Sequence, residues 1–235
     1  MKPRIYPKAI FVAGTDTRVG KTIVTGLLGR LLIKNNHKVI TQKWVQTGSG
    51  RFSQDICRHM KLMKKKKTDY KGYLPLMSPY TFKFASSPHL AGRLEGAVIN
   101  IDTIKKSLAC LFKNFDTVII EGTGGLLVPL NEDRLLIDAI KELRLPVLLV
   151  AGNRLGTINH TLLSIEALRA RNVKIMGIIF NNTTNDTDEI ILKDNPRIVK
   201  TLTDMEVLGI LPYARNMDLL YRYFAPIGNK IIRML

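Results

Sequence analysis

The run Gly14-Thr15-Asp16-Thr17-Arg18-Val19-Gly20-Lys21-Thr22 constrains this chain more than any other feature. It follows a short apolar segment, residues 8–13 (KAIFVA), and precedes apolar residues at helical spacing: Val24, Leu27, Leu28, Leu31 and Leu32. That pattern predicts a strand, a glycine-bearing loop and a helix in immediate succession. In such a context Gly20 lets the backbone approach a phosphate, Lys21 reaches the outer phosphates, and Thr22 offers a hydroxyl to magnesium. The free N–H groups and positive dipole end of the helix start point toward the same anion. A nucleotide site is expected, although the two glycines stand one residue further apart than in the general phosphate-loop pattern.

The rest of the chain repeats the alternation. Apolar runs at 39–42, 117–120, 146–150, 175–180 and 207–211 read as strands, and helical patterns precede several of them, at 104–112, 136–143 and 159–170. Strands that are apolar on both faces and alternate with helices indicate a parallel sheet covered on both sides. The expected class is α/β: a three-layer α/β/α sheet of the P-loop NTPase kind, in one domain spanning residues 1–235 with no internal repeat or linker. Ligands of such sheets bind at the carboxyl ends of the strands.

Charge separates two functional classes. Lys and Arg number 36 against 19 acids, a net of +17, with the densest cluster at Lys61, Lys64, Lys65, Lys66 and Lys67. Clustered cations suit nucleic acid, but no aromatic residues interleave with these lysines to form a stacking platform. A solvated face is the expectation, with no specific nucleic-acid partner, and the positive field serves to concentrate anionic substrates. No apolar run reaches the roughly 18 residues of a membrane span. The basic N-terminus lacks the apolar core of an export signal, and Cys57 and Cys110 have no metal or redox spacing. These features lead to the expectation of a reduced, cytoplasmic protein with no membrane partner.

Other strand ends supply candidate chemistry. Lys43, at the tip of the second strand, faces the same crevice as the phosphate loop; alone it reads equally as a surface lysine. Asp55 lies twelve residues on, between Arg51 and Arg58, and by itself reads as an ordinary surface carboxylate or a helix-start residue. Glu121 ends the third strand and is followed by Gly122, Thr123 and Gly124; a carboxylate there suits a magnesium ion near bound phosphates.

Taken in order, these segments resemble the dethiobiotin synthetases. The resemblance is carried by GTDTRVGKT (14–22), KWVQTGS (43–49), Asp55, SPYTF and SSPH (78–82 and 86–89), EGTGGLLVPL (121–130), GNRLGTINH (152–160) and FNN (180–182). The longer glycine spacing is that family's own. The resemblance implies ATP and Mg2+ as co-substrate and cofactor, and 7,8-diaminononanoate and CO2 or bicarbonate as substrates. Arg18, Val19, Gly20, Lys21, Thr22 and Ile23 would hold the phosphates, with Asp55, Glu121, Gly122, Thr123 and Gly124 beside them. Thr22, Asp55 and Glu121 would organise the metal. Lys43 and Lys21 would be catalytic, Thr17 and Thr47 would meet the diamine end, and Asn181, Asn182 and the turn Ile210, Leu211 and Pro212 would read adenine. The family is a homodimer, in which Gly156, Thr157, Ile158 and Asn159 would hold the substrate carboxylate of the partner subunit's site.

Two departures stand out. Trp44 replaces the family's usual proline, which predicts a less rigid loop after Lys43, and Arg18 occupies a position often held by an acid. Residues 186–195 match nothing in the pattern. His89 and His160 read as packing or capping residues, and Tyr80 reads equally as cleft or core. A partitioning-type switch ATPase is the alternative, but that class needs an additional lysine early in the loop and residues 13–19 contain none. A glutamine-dependent ligase would carry a nucleophilic Cys toward the C-terminus, whereas both cysteines precede residue 111.

Overall fold

The structure, a computed structural model, describes residues 8–235; the basic stretch at 1–7, part of the N-terminal reading above, lies outside them. The first half of the chain forms β1 (Lys8–Gly14), α1 (Lys21–Lys34), β2 (Val39–Lys43), β3 (Val45–Gln46), α2 (Gln54–Leu62), α3 (Leu74–Met77), β4 (Tyr80–Thr81) and α4 (Pro88–Leu94). It continues as α5 (Ile101–Phe112), β5 (Thr117–Glu121), α6 (Leu136–Glu142), β6 (Val147–Gly152), α7 (Thr157–Ala170), β7 (Ile175–Asn181), α8 (Glu189–Thr203), β8 (Val207–Leu211) and α9 (Met217–Ile232). Six strands form one parallel sheet in the order β2-β5-β1-β6-β7-β8, and β3 and β4 pair separately. The sheet carries helices on both faces, as the alternation predicted.

Strand alternation sorts the core into two layers. In β1, Ile10 and Val12 face one side while Phe11 and Ala13 face the other, because successive side chains on a strand point in opposite directions. Val24, Leu27 and Leu28 of α1 and Leu220, Phe224 and Ile227 of α9 cover the first side. Ile104 and Leu108 of α5, Ile137 and Ile140 of α6, Ile165 and Leu168 of α7 and Val199 of α8 cover the second.

This topology places the site. From β1 the chain crosses toward β2 on one side, while β6, β7 and β8 extend the sheet on the other, so β1 sits where the direction reverses. The loops leaving β1 and its neighbours open into one crevice there. α2 is brought to the same crevice by close packing on α1. A Cβ at Gly26 would stand 2.7 Å from Leu62 Cβ, an approach that glycine permits, and one at Gly29 would stand 2.9 Å from Met63 Sδ.

The lysine run closes α2 and enters the following turn. There Lys64 pairs with Asp218 at 3.0 Å and Lys67 lies over the Phe52 ring. Cations at a helix C-terminus also complement its dipole. No helix among the described residues is long and apolar enough to cross a membrane. Cys57 and Cys110 are both free and exposed.

Candidate active site

The loop between β1 and α1 wraps the Lys21 side chain. Its Nζ donates to the carbonyls of Asp16 (2.7 Å) and Gly124 (2.9 Å), so the ammonium links the phosphate loop to the β5 loop. Gly20 adopts φ +104°, and a Cβ there would stand 2.1 Å from Asn181 Nδ2. Asn181 in turn donates to the Val19 carbonyl at 2.9 Å, tying the loop to the end of β7. The helix start itself has no side-chain cap, leaving its first N–H groups free for an anion.

Burial, and secondarily the charge of Lys43, bring the Lys21 pKa down to about 8. A bound triphosphate favours the charged form and raises it again. Nucleotide binding then takes up a proton above about pH 8, so affinity falls as pH rises from there, by up to roughly tenfold per unit. Calorimetric titration of ATP in buffers of different ionisation enthalpy measures this directly. Affinity that stays flat between pH 7 and 9.5 would contradict it.

Lys43 and Glu121 are register partners at the ends of adjacent parallel strands β2 and β5. Their side chains meet at 2.7 Å, and Lys43 Nζ also reaches Asp55 at 2.9 Å and the Gly122 carbonyl at 2.9 Å. Burial alone would lower the pKa of the lysine, which is 3% exposed, but Glu121 and Asp55 outweigh it and hold its pKa above the ordinary value. Burial likewise opposes ionisation of Glu121, and Lys43 and His59 overcome it, holding that carboxyl well below the usual range. The Thr22 hydroxyl lies 3.1 Å from Glu121 Oε1 and 3.3 Å from Asp55 Oδ1. Asp55 is set by the α2 start, where Ser53 caps the helix and Gln46 Oε1 accepts from both Ser53 Oγ and the Asp55 N–H.

A hydroxyl and two carboxyl groups form a hard, all-oxygen donor set, the kind magnesium takes. Among the described residues no three His, Cys, Asp or Glu side chains form a metal cage.

These groups share one cavity of about 980 Å³, whose wall includes Lys21, Lys43, Asp55, Glu121, Thr22 and Gly20. Thr17 and Arg18 line it from the phosphate loop, Ile23 from the first turn of α1, and Thr47, Thr123 and Gly124 from the loops after β3 and β5. Asn181, Asn182 and Pro212 close the far end. Its four cations, Arg18, Lys21, Lys43 and Arg58, outnumber its two carboxylates. That excess of two positive charges complements a magnesium-bound triphosphate, which carries roughly two negative ones.

Some expected residues act differently or elsewhere. The Val19 side chain is core, and Gly122 contributes only its carbonyl to Lys43. Leu211 is buried and gives its carbonyl to the Asn182 N–H, and Ile210 is not part of the wall. At the far end the wall runs through Pro212, Tyr213 and Ala214 instead, displaced toward the α9 loop. Gly156, Thr157, Ile158 and Asn159 do not line the cavity of their own chain. Tyr80 stacks on Phe82 and exchanges hydrogen bonds with the Asn100 backbone rather than lining the cleft, and His89 and His160 stand outside it.

The loop after Lys43 is not loosened by Trp44. The indole is 1% exposed, packs edge-on against Phe11 with ring centroids 5.0 Å apart, and donates from Nε1 to Gln42 Oε1. A large anchored ring restrains the loop by packing where a proline would do so through its fixed φ.

Sequence reasoning passed over Arg58, Gln46 and Tyr213 in the wall, and the buried His59 beneath it. His59 stands four residues after Asp55, the spacing that puts both on one face of a helix. That was the available signal.

A family model described as an AAA domain matches residues 8–218. Solved structures share the fold at low identity. They include a putative plasmid partition protein of Borrelia burgdorferi bound to AMPPNP (13% identity, TM-score 0.62, 97% of this chain and 100% of that one). Another is the Pyrococcus furiosus cell division ATPase MinD (16% identity, TM-score 0.59, 97% and 100%). Sequence relatives are much nearer. The ATP-dependent dethiobiotin synthetase of Chlorobaculum tepidum is 40% identical over 194 residues, covering 82% of this chain and 80% of that protein. The enzymes of Halalkalibacterium halodurans and Bacillus subtilis are 40% and 35% identical, each over 89% of this chain and over 86% and 89% of their own lengths. With likeness of that extent around a phosphate loop, a strand-end lysine and two converging carboxylates, the chain belongs to the ATP-dependent dethiobiotin synthetase family.

Proposed function

We propose that the protein is a ligase that carboxylates 7,8-diaminononanoate and closes its ureido ring at the expense of ATP, giving dethiobiotin, ADP and phosphate. The observation that carries this reading is the position of Lys43. Its ammonium sits at the floor of the cavity between two carboxylates, with the phosphate-loop Lys21 lining the same cavity. A nucleotide switch needs only the phosphate loop and its metal; a second buried cation at the strand end serves an anionic co-substrate.

The reaction follows from these groups. One amine of the diamine captures CO2 as a carbamate and releases a proton. A carbamate oxygen attacks the γ-phosphorus and ADP departs, leaving a mixed carbamic–phosphoric anhydride. The second amine attacks the carbonyl carbon and expels phosphate, closing the ring within one molecule, which removes the entropic cost of a second encounter. Lys21 and the N–H groups at the α1 start hold the phosphates, and Lys43 neutralises charge on the carbamate and the transferring phosphoryl group. Thr17 and Thr47 flank the diamine end, and Asn181 and Asn182 face the base. Thr22, Asp55 and Glu121 would hold magnesium, which when bound draws charge from the phosphates.

A second copy of the chain completes the site in this reading. Gly156–Asn159 lie away from their own cavity at the uncapped start of α7, beside Leu155, which is 82% exposed. That helix start, offered by the partner of a homodimer, would take the substrate's distal carboxylate.

The test is direct. The full chain with 7,8-diaminononanoate, bicarbonate, magnesium and ATP should form dethiobiotin, ADP and phosphate in equal amounts. ATP hydrolysis indifferent to the diamine would replace this reading with that of a switch ATPase.

A further inference from the structure

α2 delivers two side chains to the carboxylate cluster, Asp55 and, one turn later, His59. The His59 ring is fully buried. Its Nε2 lies 2.6 Å from Glu121 Oε2, while Glu121 Oε1 receives Lys43 at 2.7 Å and Thr22 at 3.1 Å. A carboxylate facing an ammonium is ionised and has only acceptors, so the imidazole nitrogen must donate. The two oxygens of Glu121 are thereby given different partners: Oε2 is held from beneath, and Oε1 is left on the cavity side. His59 Nδ1 has no partner among the described residues. A histidine kept only for packing would leave that nitrogen as an uncompensated cost, and an apolar side chain would fill the space without it.

We infer that His59 is a positioning residue for the metal site: its Nε2–H fixes the Glu121 carboxylate so that Oε1 faces Thr22 and the incoming cation. The inference rests on the magnesium role proposed above for Thr22, Asp55 and Glu121. Hydrogen bonds of this kind, one shell behind a metal ligand, restrict the ligand to the orientation the ion needs, and their loss weakens metal affinity by roughly 10–100-fold.

The experiment measures Mn2+ affinity of the full chain by electron paramagnetic resonance, with a non-hydrolysable ATP analogue present. Analogue binding in chelator and thermal unfolding serve as companion readouts. His59→Leu should bind Mn2+ about 10–100-fold more weakly, with metal-free analogue binding and cooperative unfolding retained. His59→Gln, whose amide nitrogen can take the place of Nε2, should recover affinity to within a few-fold of the wild type. If His59→Leu does not fold, His59→Gln and His59→Asn supply the same contrast, because the shorter amide does not reach Glu121.

Unchanged Mn2+ affinity in folded His59→Leu overturns the inference. So does His59→Gln that is as weak as the variants lacking a donor, since packing rather than the hydrogen bond would then be at stake. Failure of the wild type itself to bind Mn2+ with the analogue would instead defeat the magnesium reading, which keeps the two outcomes distinct.

Discussion

Lys43→Met should abolish most dethiobiotin formation, lowering turnover by about 10²–10³-fold or more, the scale seen when one preorganised donor to a developing negative charge is lost. Methionine keeps much of the length and volume of the side chain and removes the charge together with the N–H groups that donate to Glu121 and the Gly122 carbonyl. In the proposed function the loss should fall on kcat rather than on ATP affinity, because Lys21 and the uncapped α1 start, rather than Lys43, would hold the phosphates. A second consequence follows from burial. Without the ammonium, Glu121 and Asp55 keep Thr22 and His59 as hydrogen-bonding neighbours and Lys21 as the one lysine left in the cavity. Breaking a buried ion pair by removing one partner costs about 3–5 kcal/mol. The metal-free variant should therefore unfold at lower temperature than the wild type. Steady-state assay with the diamine and differential scanning calorimetry check both parts; turnover within tenfold of wild type would remove Lys43 from the chemistry.

Trp44→Ala should destabilise the fold by about 3–5 kcal/mol, the range for truncating a fully buried large aromatic ring. The lost contacts are with Phe11, on β1 immediately before the phosphate loop, so the cavity would open beneath the site. Gln42 would also lose the donor to its Oε1, although its amide would keep Leu76 and Ser107 as acceptors. Trp44→Phe should retain most of the stability, since it restores the ring contact and forfeits one hydrogen bond. Chemical denaturation of the three proteins measures the difference. A loss under 1 kcal/mol in the alanine variant would mean that the ring does not anchor the loop.

Much of the architecture was legible because strands buried on both faces are written as continuous apolar runs. The six main strands begin and end within two residues of the expected positions. The parts not read from sequence are those whose pattern is short or interrupted. The β3–β4 pair is two residues per strand and cannot display a period. α9 carries Leu220, Phe224, Ile227 and Ile231 at helical spacing, but Pro226 in its middle reads as a break. α8 has Pro196 in the same role. Within the site, Thr22, Lys43, Asp55 and Glu121 were each nameable, whereas His59 was hidden in a basic, unremarkable stretch of α2.

The sequence alone determined the phosphate loop, the parallel sheet and the family, because these depend on local spacing and on the order of motifs along the chain. Only the tertiary structure decided that Lys43 is a buried, charged partner of Glu121 and Asp55, and that His59 stands behind Glu121. It also decided that Trp44 fastens its loop. Those properties arise from strand register, from the close approach of α2 to α1 at Gly26 and Gly29, and from burial. Burial and register join Lys43 to Glu121, 78 positions apart, and no local pattern encodes the electric field that such a meeting creates.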